Sequence, residues 1–298
     1  MFKSVSLGWA LACLTVLCPS VHTVLYAQAD PQHYRFNTGQ SIQPIYQGWS
    51  HNPDESFELH FGYLNRNYVE ELHVPIGPNN RIIPDDPDRG QPTYFYPRRH
   101  GRVFSVTVPN DWGDRELIWE VTVGDETYRA VGWLQPEWEI VANPPARGFL
   151  PLEDQTNQKP SLTLSVPSSV ALVDTLAMVV TFGDDGLPER QTQSRTRPPV
   201  LPTLAPTTDG PTIPINVPQL LPENRKQPLR IEVAGLNITV TQWRGPTGVA
   251  LEQDGDATDN EASLLVHFVE PGNYLFRVRV SDGMETVTEE VAVSVRED

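Results

Sequence analysis

Apolar and polar side chains alternate along most of this chain with a period of two. The segment from Glu270 to Val295, EPGNYLFRVRVSDGMETVTEEVAVSV, holds a Pro-Gly turn, an alternating run, an Asp-Gly turn and a second alternating run. That order predicts an antiparallel hairpin. In its second strand Val291, Val293 and Val295 share one face and Ala292 and Ser294 the other. Earlier, Phe57, Leu59, Phe61 and Tyr63 alternate with Glu58, His60 and Gly62. Phe104, Val106 and Val108 repeat the pattern, as do Leu117, Trp119, Val121 and Val123, and Gly124-Asp125-Glu126 then turns into a run from Tyr128 to Leu134. Successive strand side chains point to opposite faces, so each run presents one apolar face to a core. Further β-segments are read at SLTLSV, residues 161–166, and at Thr175 to Phe182, Ile238 to Trp243 and Leu264 to Phe268. No window sustains the i, i+3, i+4 spacing of a helix. The expected fold class is all-β, with two β-sandwich domains of immunoglobulin-like type.

Three stretches interrupt the alternation. In residues 74–101 the prolines at 75, 78, 84, 87, 92 and 97 exclude central strands, which predicts a long ordered loop or a functional excursion. Residues 142–160, ANPPARGFLPLEDQTNQKP, read as an interdomain linker. Residues 189–228 form a proline-rich insertion with no amphipathic period, a candidate tether for a partner. The expected organisation is a leader at 1–29, an N-terminal β-sandwich of unknown function at 30–141, the linker, and a second β-sandwich at 161–298.

The leader follows from Lys3, the apolar run Leu7 to Leu17 and the small-x-small site Ala27-Gln28-Ala29, which together make a secretory signal peptide. Cys13 and Cys18 both lie inside it, so the exported product is expected to have no disulfide, thiolate ligand or cysteine nucleophile. Loss of Lys3 leaves 21 basic residues against 38 acidic ones, a formal charge of −17. Such a charge argues against nucleic acid and anionic membranes as partners. No transmembrane segment is expected in the mature form, which would reside in the periplasm, at the cell surface or outside the cell.

In the second half, Asp184-Asp185-Gly186-Leu187-Pro188, then Gln242-Trp243-Arg244-Gly245-Pro246 with Val249, then Pro271-Gly272-Asn273-Tyr274, and finally Val280-Ser281-Asp282-Gly283 occur in order. This set resembles the PKD-type, immunoglobulin-like modules of bacterial exported proteins, over roughly residues 160–298. The resemblance implies a spacer, adhesive or interaction sandwich without catalytic residues, interrupted here by the proline-rich insertion. Trp243 then reads as an anchor of the two-sheet core. The N-terminal half, with FGYLNRNYVEEL, IGPNN and DRGQPTYFYPRR, resembles a functionally unassigned segment of exported bacterial proteins.

Candidate chemistry is sparse. No HExxH or GxSxG pattern occurs. Tyr63, Asn65, Arg66 and Asn67 combine phenol, amide and guanidinium groups suited to carbohydrate or peptide contact, and Arg98 and Arg99 could join them from the proline-rich loop. Alternatively the two asparagines bond their own turn and the arginines pair with Asp85, Asp86 or Asp88. Asp184, Asp185 and Asp282 offer the oxygens a calcium ion would want, as do Asp254, Asp256, Asp259 and Asn260. His60 and His73 with Glu70 or Glu71 make a weaker zinc set. No other cofactor is expected. The expectation is an exported, non-enzymatic binding or structural protein of the cell envelope, with an envelope protein or polysaccharide as partner. The alternative is a secreted hydrolase or carbohydrate-active protein drawing on His51, Asp54, Glu70 or Glu71.

Overall fold

The computed structural model describes residues 36–140, 156–188, 226–233, 235–258 and 260–297. The expected signal peptide, most of the linker and nearly all of the proline-rich insertion lie outside the described residues. In chain order the first half contains β1 (Ile42–His51), β2 (Phe57–Asn65), β3 (Leu72–His73), β4 (Asn80–Ile83), β5 (Tyr94–Phe95), β6 (Arg98–Val108), β7 (Leu117–Val123) and β8 (Glu126–Gly132). The second half contains β9 (Ser161–Ser165), β10 (Ser169–Ala171), β11 (Leu176–Gly183), β12 (Leu229–Val233), β13 (Leu236–Arg244), β14 (Ala250–Gln253), β15 (Glu261–His267), β16 (Gly272–Ser281) and β17 (Thr286–Arg296). Among the described residues the helical element is a single 3-10 turn at Pro136–Trp138. The protein is therefore all-β.

In the first half the sheet β1-β2-β6 packs against the sheet β4-β7-β8, while β3 and β5 form a short ladder beside them. Leu59, Phe61 and Phe104 from one sheet meet Trp119 and Val121 from the other in a shared core. The Phe104 and Trp119 rings lie edge to face at 4.8 Å. Burying each such side chain contributes about 1.5–3 kcal/mol, which makes this cluster the main stabiliser of the half.

The second half is a sandwich of β10-β17-β16-β13-β12 on β14-β15-β11-β9. Its core interleaves Ile238, Val240, Phe276 and Val278 with Met178, Val180, Leu264 and Val266. The hairpin read at 270–295 is β16 and β17, paired from Gly272 with Val295 to Ser281 with Thr286. Val293 and Val295 are buried and Val291 is packed against them, as period two requires.

Besides the short strands β3, β4, β5, β10, β12 and β14, which the sequence reading did not single out, two features depart from it. Strand β1 was not foreseen, because Pro44 and Gly48 break its pattern; it is an edge strand, where proline is tolerated, and its register shifts between Tyr46 and Trp49. Trp243 is a core anchor, but of the other half. Trp243 stands on the outward face of β13, in step with Thr239 and Thr241 and beside a register shift between Gln242 and Arg244, and it joins the first half's apolar cluster at 3% exposure. The described residues accordingly fall in one contact unit.

A candidate anion-binding cleft

The proline-rich stretch between β4 and β6 is ordered because it docks along the end of β13. The Thr93 amide donates to the Trp243 carbonyl at 3.1 Å, and the Gly245 amide donates to Thr93 Oγ1 at 3.2 Å. The Gln242 amide donates to Tyr96 Oη at 3.0 Å, and Trp243 Nε1 donates to the Gly90 carbonyl at 3.2 Å. Arg244 clasps Asp88 with two hydrogen bonds of 2.6 and 2.8 Å. That fork holds the Asp88 carboxyl below the usual carboxylate range, with burial opposing it.

Beside this dock the two halves enclose a cleft of about 460 Å³. One wall is the outward face of the five-stranded sheet. There the register places Arg230 on β12 opposite Thr239 on β13, Thr239 opposite Arg279 on β16, and Arg279 opposite Thr288 on β17. All four side chains line the cleft. Arg277, one step along β16, lies 3.3 Å above the Trp243 ring, is bonded to Glu290 at 2.5 and 2.7 Å, and donates to the Val103 carbonyl at 3.3 Å. Arg277 is thus committed to holding the halves together.

The opposite wall comes from the first half. Arg99 and Arg102 on β6, His60 on β2, and Arg89 from the docking loop reach the cleft. The β2–β6 register shifts between Phe61 and Tyr63, opposite the Gly101–Val103 stretch, and Arg102 takes a left-handed φ of 46° with its amide bonded to the Gln47 side-chain oxygen. A bulge of this kind re-aims a side chain, and a non-glycine residue held at positive φ carries local strain.

The cleft is strongly basic in a chain whose formal charge is −16. Its lining contains six arginines and no lysine. Arg230 and Arg279 have no carboxylate partner among the described residues. Burial lowers the Arg279 pKa, and the neighbouring Arg230 charge lowers it further. Like charges this close repel, and an anion between them would offset that repulsion. His60 is also pushed down, first by burial and then by Arg102, with Glu58 opposing. It is neutral at neutral pH and shares a 2.9 Å hydrogen bond with Ser50 Oγ.

The binding face expected at Tyr63, Asn65, Arg66 and Asn67 is not assembled. Tyr63, Asn65 and Asn67 are buried. Asn65 Nδ2 donates to the carbonyls of Glu70 and Phe95, and its Oδ1 accepts from the Asn67 amide. Asn67 exchanges hydrogen bonds with both backbone groups of Gln40, and Tyr63 Oη accepts from the Tyr96 amide. These groups have internal partners because a buried amide without one costs about 1–3 kcal/mol. Arg66 is exposed and donates to Tyr128 Oη, while Arg98 donates to the Arg66 carbonyl and lies 4.0 Å over the Tyr68 ring. Of the six residues, Arg99 opens on the cleft and Tyr63 forms part of its floor.

The calcium set is likewise committed to turns. Asp282 Oδ1 accepts from the amides of Met284 and Glu285, and its Oδ2 from Asn157. Asp185 accepts from the amides of Gln158 and Leu187, and Asp184 from that of Gly186. The three acids are close enough that Asp282 and Asp185 add to the burial that raises the Asp184 pKa. No group of three or more histidine or acidic side chains among the described residues is arranged to hold a metal ion, and this covers the His60 and His73 pair. The residues of the hydrolase alternative are dispersed. His51 lies 3.6 Å from Glu139, Asp54 bonds Ser56, Glu70 accepts from the Gly39 amide, and Glu71 pairs with Lys226 at 3.0 Å.

Arg230, Arg279, Arg102 and Arg89 were not singled out in the sequence. Period two did place Arg277 and Arg279 on the outward face, since they alternate with buried Phe276, Val278 and Val280. Nothing in the alternation says that a second half covers that face.

No family model matches the chain, and no curated protein matches it. Among solved structures it is similar to a chimeric titin Z1Z2 tandem at 12% identity, covering 88% of this chain and all of that one, with a TM-score of 0.24. It is similar to domains 4 and 5 of the S-layer protein SbsC at 13% identity, covering 86% of this chain and 97% of that one, TM-score 0.22. A third likeness is to the endo-fucoidan hydrolase MfFcnA4 of glycoside hydrolase family 107, at 14% identity over 89% of this chain and 28% of the enzyme, TM-score 0.23. With scores this low, the assignment to β-sandwiches rests on the strand pairing and the two cores.

Proposed function

We propose that this protein is an exported, non-enzymatic binding protein of the cell envelope, and that its ligand is an anionic polysaccharide segment held in the cleft between its halves. The observation that carries this reading is the convergence of arginines from both walls, with no carboxylate paired to Arg230 or Arg279 among the described residues. The strained backbone at Arg102 supports it, because strain of this sort is retained where a side chain must be aimed. The charge of the whole molecule narrows the ligand. Duplex nucleic acid presents one negative charge per roughly 1.7 Å and would be repelled by the acidic exterior. A glycan with sparser charges suffers less and can still fill a basic cleft. The leader sequence supports export. A hydrolase has less support, because its candidate groups are each engaged with a different partner.

The test is equilibrium binding of the mature protein to immobilised acidic and neutral polysaccharides at two salt concentrations. The expected result is binding to the acidic polymer alone, weakened by added salt as screening shortens the reach of the cleft charges. Equal retention on a neutral glucan, or none on either, would overturn the reading.

A further inference from the structure

We infer that the cleft selects a sulfate or phosphate ester over a carboxylate, and that the ester sits on the row Arg230, Thr239, Arg279 and Thr288. This rests on the reading of the cleft as an anionic-glycan site and specifies which anion it takes.

The argument is one of donor number and direction. The four residues stand side by side on adjacent strands, all on the outward face and all lining the cleft. Adjacent strands lie about 4.8 Å apart, so a short hydroxyl alternates with a long guanidinium along the row. The threonines make a floor and the arginines make two sides. A tetrahedral ester group presents three free oxygens in different directions. Two guanidinium forks and the hydroxyl between them answer all three. A carboxylate presents two oxygens in one plane, which a single arginine fork satisfies. A site built for a carboxylate has no use for a second arginine, whose charge disfavours that of its neighbour. The Arg244–Asp88 pair shows the contrast: there one guanidinium serves both oxygens of one carboxylate. The exclusive use of arginine in the lining fits as well, since the planar fork matches oxyanion geometry and the rounder lysine ammonium does not.

The experiment measures binding of the mature full-length protein to four dextran-based probes of equal length: sulfated, phosphorylated, carboxymethylated and unmodified. The sulfated or the phosphorylated probe should bind at least about tenfold more tightly than the carboxymethylated one, the worth of one charge-assisted hydrogen bond. The pH dependence separates the two esters: a sulfate ester stays ionised throughout, whereas phosphate binding strengthens as pH rises through about 6. Arg230→Gln and Arg279→Gln should each weaken ester binding about tenfold without lowering the melting temperature, because neither side chain has a carboxylate partner among the described residues. Tighter or equal binding of the carboxymethylated probe, or unaltered ester binding by both variants, overturns the inference and leaves the anionic-glycan reading standing. Binding of no charged probe removes both.

Discussion

Trp243 is a side chain of the second sandwich that completes the core of the first. Its ring is closed in by Arg277 above and the Gly90 carbonyl at its edge, and truncation leaves a cavity the docking loop cannot refill. Trp243→Ala is expected to cost about 3–5 kcal/mol, with the loss concentrated in the first half, as read by hydrogen exchange in β6 and β7. Two residues further on, Gly245 has a φ of 114° and its missing side chain faces the Asn273 carbonyl. A Cβ there would approach that backbone oxygen to 2.9 Å, so Gly245→Ala is strained in both conformation and space. A variant as stable as the parent in chemical denaturation would contradict that account. Asn65 and Asn67 carry the opposite lesson. Their amide groups look equipped for a ligand in sequence, yet the same donors and acceptors are what a buried turn consumes.

At the scale of elements, the prolines between β4 and β6 excluded central strands without saying what the stretch packs on. Its function in the fold is to run beside β13, and the bonds from Thr93, Tyr96 and Asp88 fasten it there. Amides of Thr93, Gln242 and Gly245 should therefore exchange only with opening of the dock. Asp88→Ala removes the fork to Arg244, whose partners are partly exposed, so it should cost no more than about 1 kcal/mol while accelerating exchange at those amides. Exchange rates unchanged from the parent would show that the ion pair does not hold the loop.

Taken whole, the two halves share an apolar cluster, and one cooperative unfolding transition is expected by calorimetry; two resolved transitions would contradict this. Two histidines contribute to its pH dependence, the partly buried His60 and the more exposed His73. His60 is lowered by burial and Arg102, and His73 by burial against Glu270. For both, the unfolded chain takes up a proton at a higher pH than the folded one. Stability is therefore complete above the ordinary histidine value of about 6.5 and falls as pH drops below it. His60→Gln should flatten the decline between about pH 7 and 5, a window set by that histidine value. A decline of unchanged slope would assign it to other groups. The Asp88–Arg244 contribution is lost separately and lower, as pH falls through the carboxylate range.

Most strands, their inward faces and the long hairpin were written into the alternation, because burying one face of an extended chain is a local demand that each run of residues expresses on its own. The edge strand β1 was hidden by the very residues, Pro44 and Gly48, that an edge accepts. The outward positions of Arg277 and Arg279 were also implicit in period two. Their meeting with Arg99 and Arg102 was not. That convergence arises only when the first half closes over the outward face that carries Trp243, and long-range contact leaves no periodic trace in sequence. A polar face open to water and a polar face lining a cleft read alike until the opposing wall is in place.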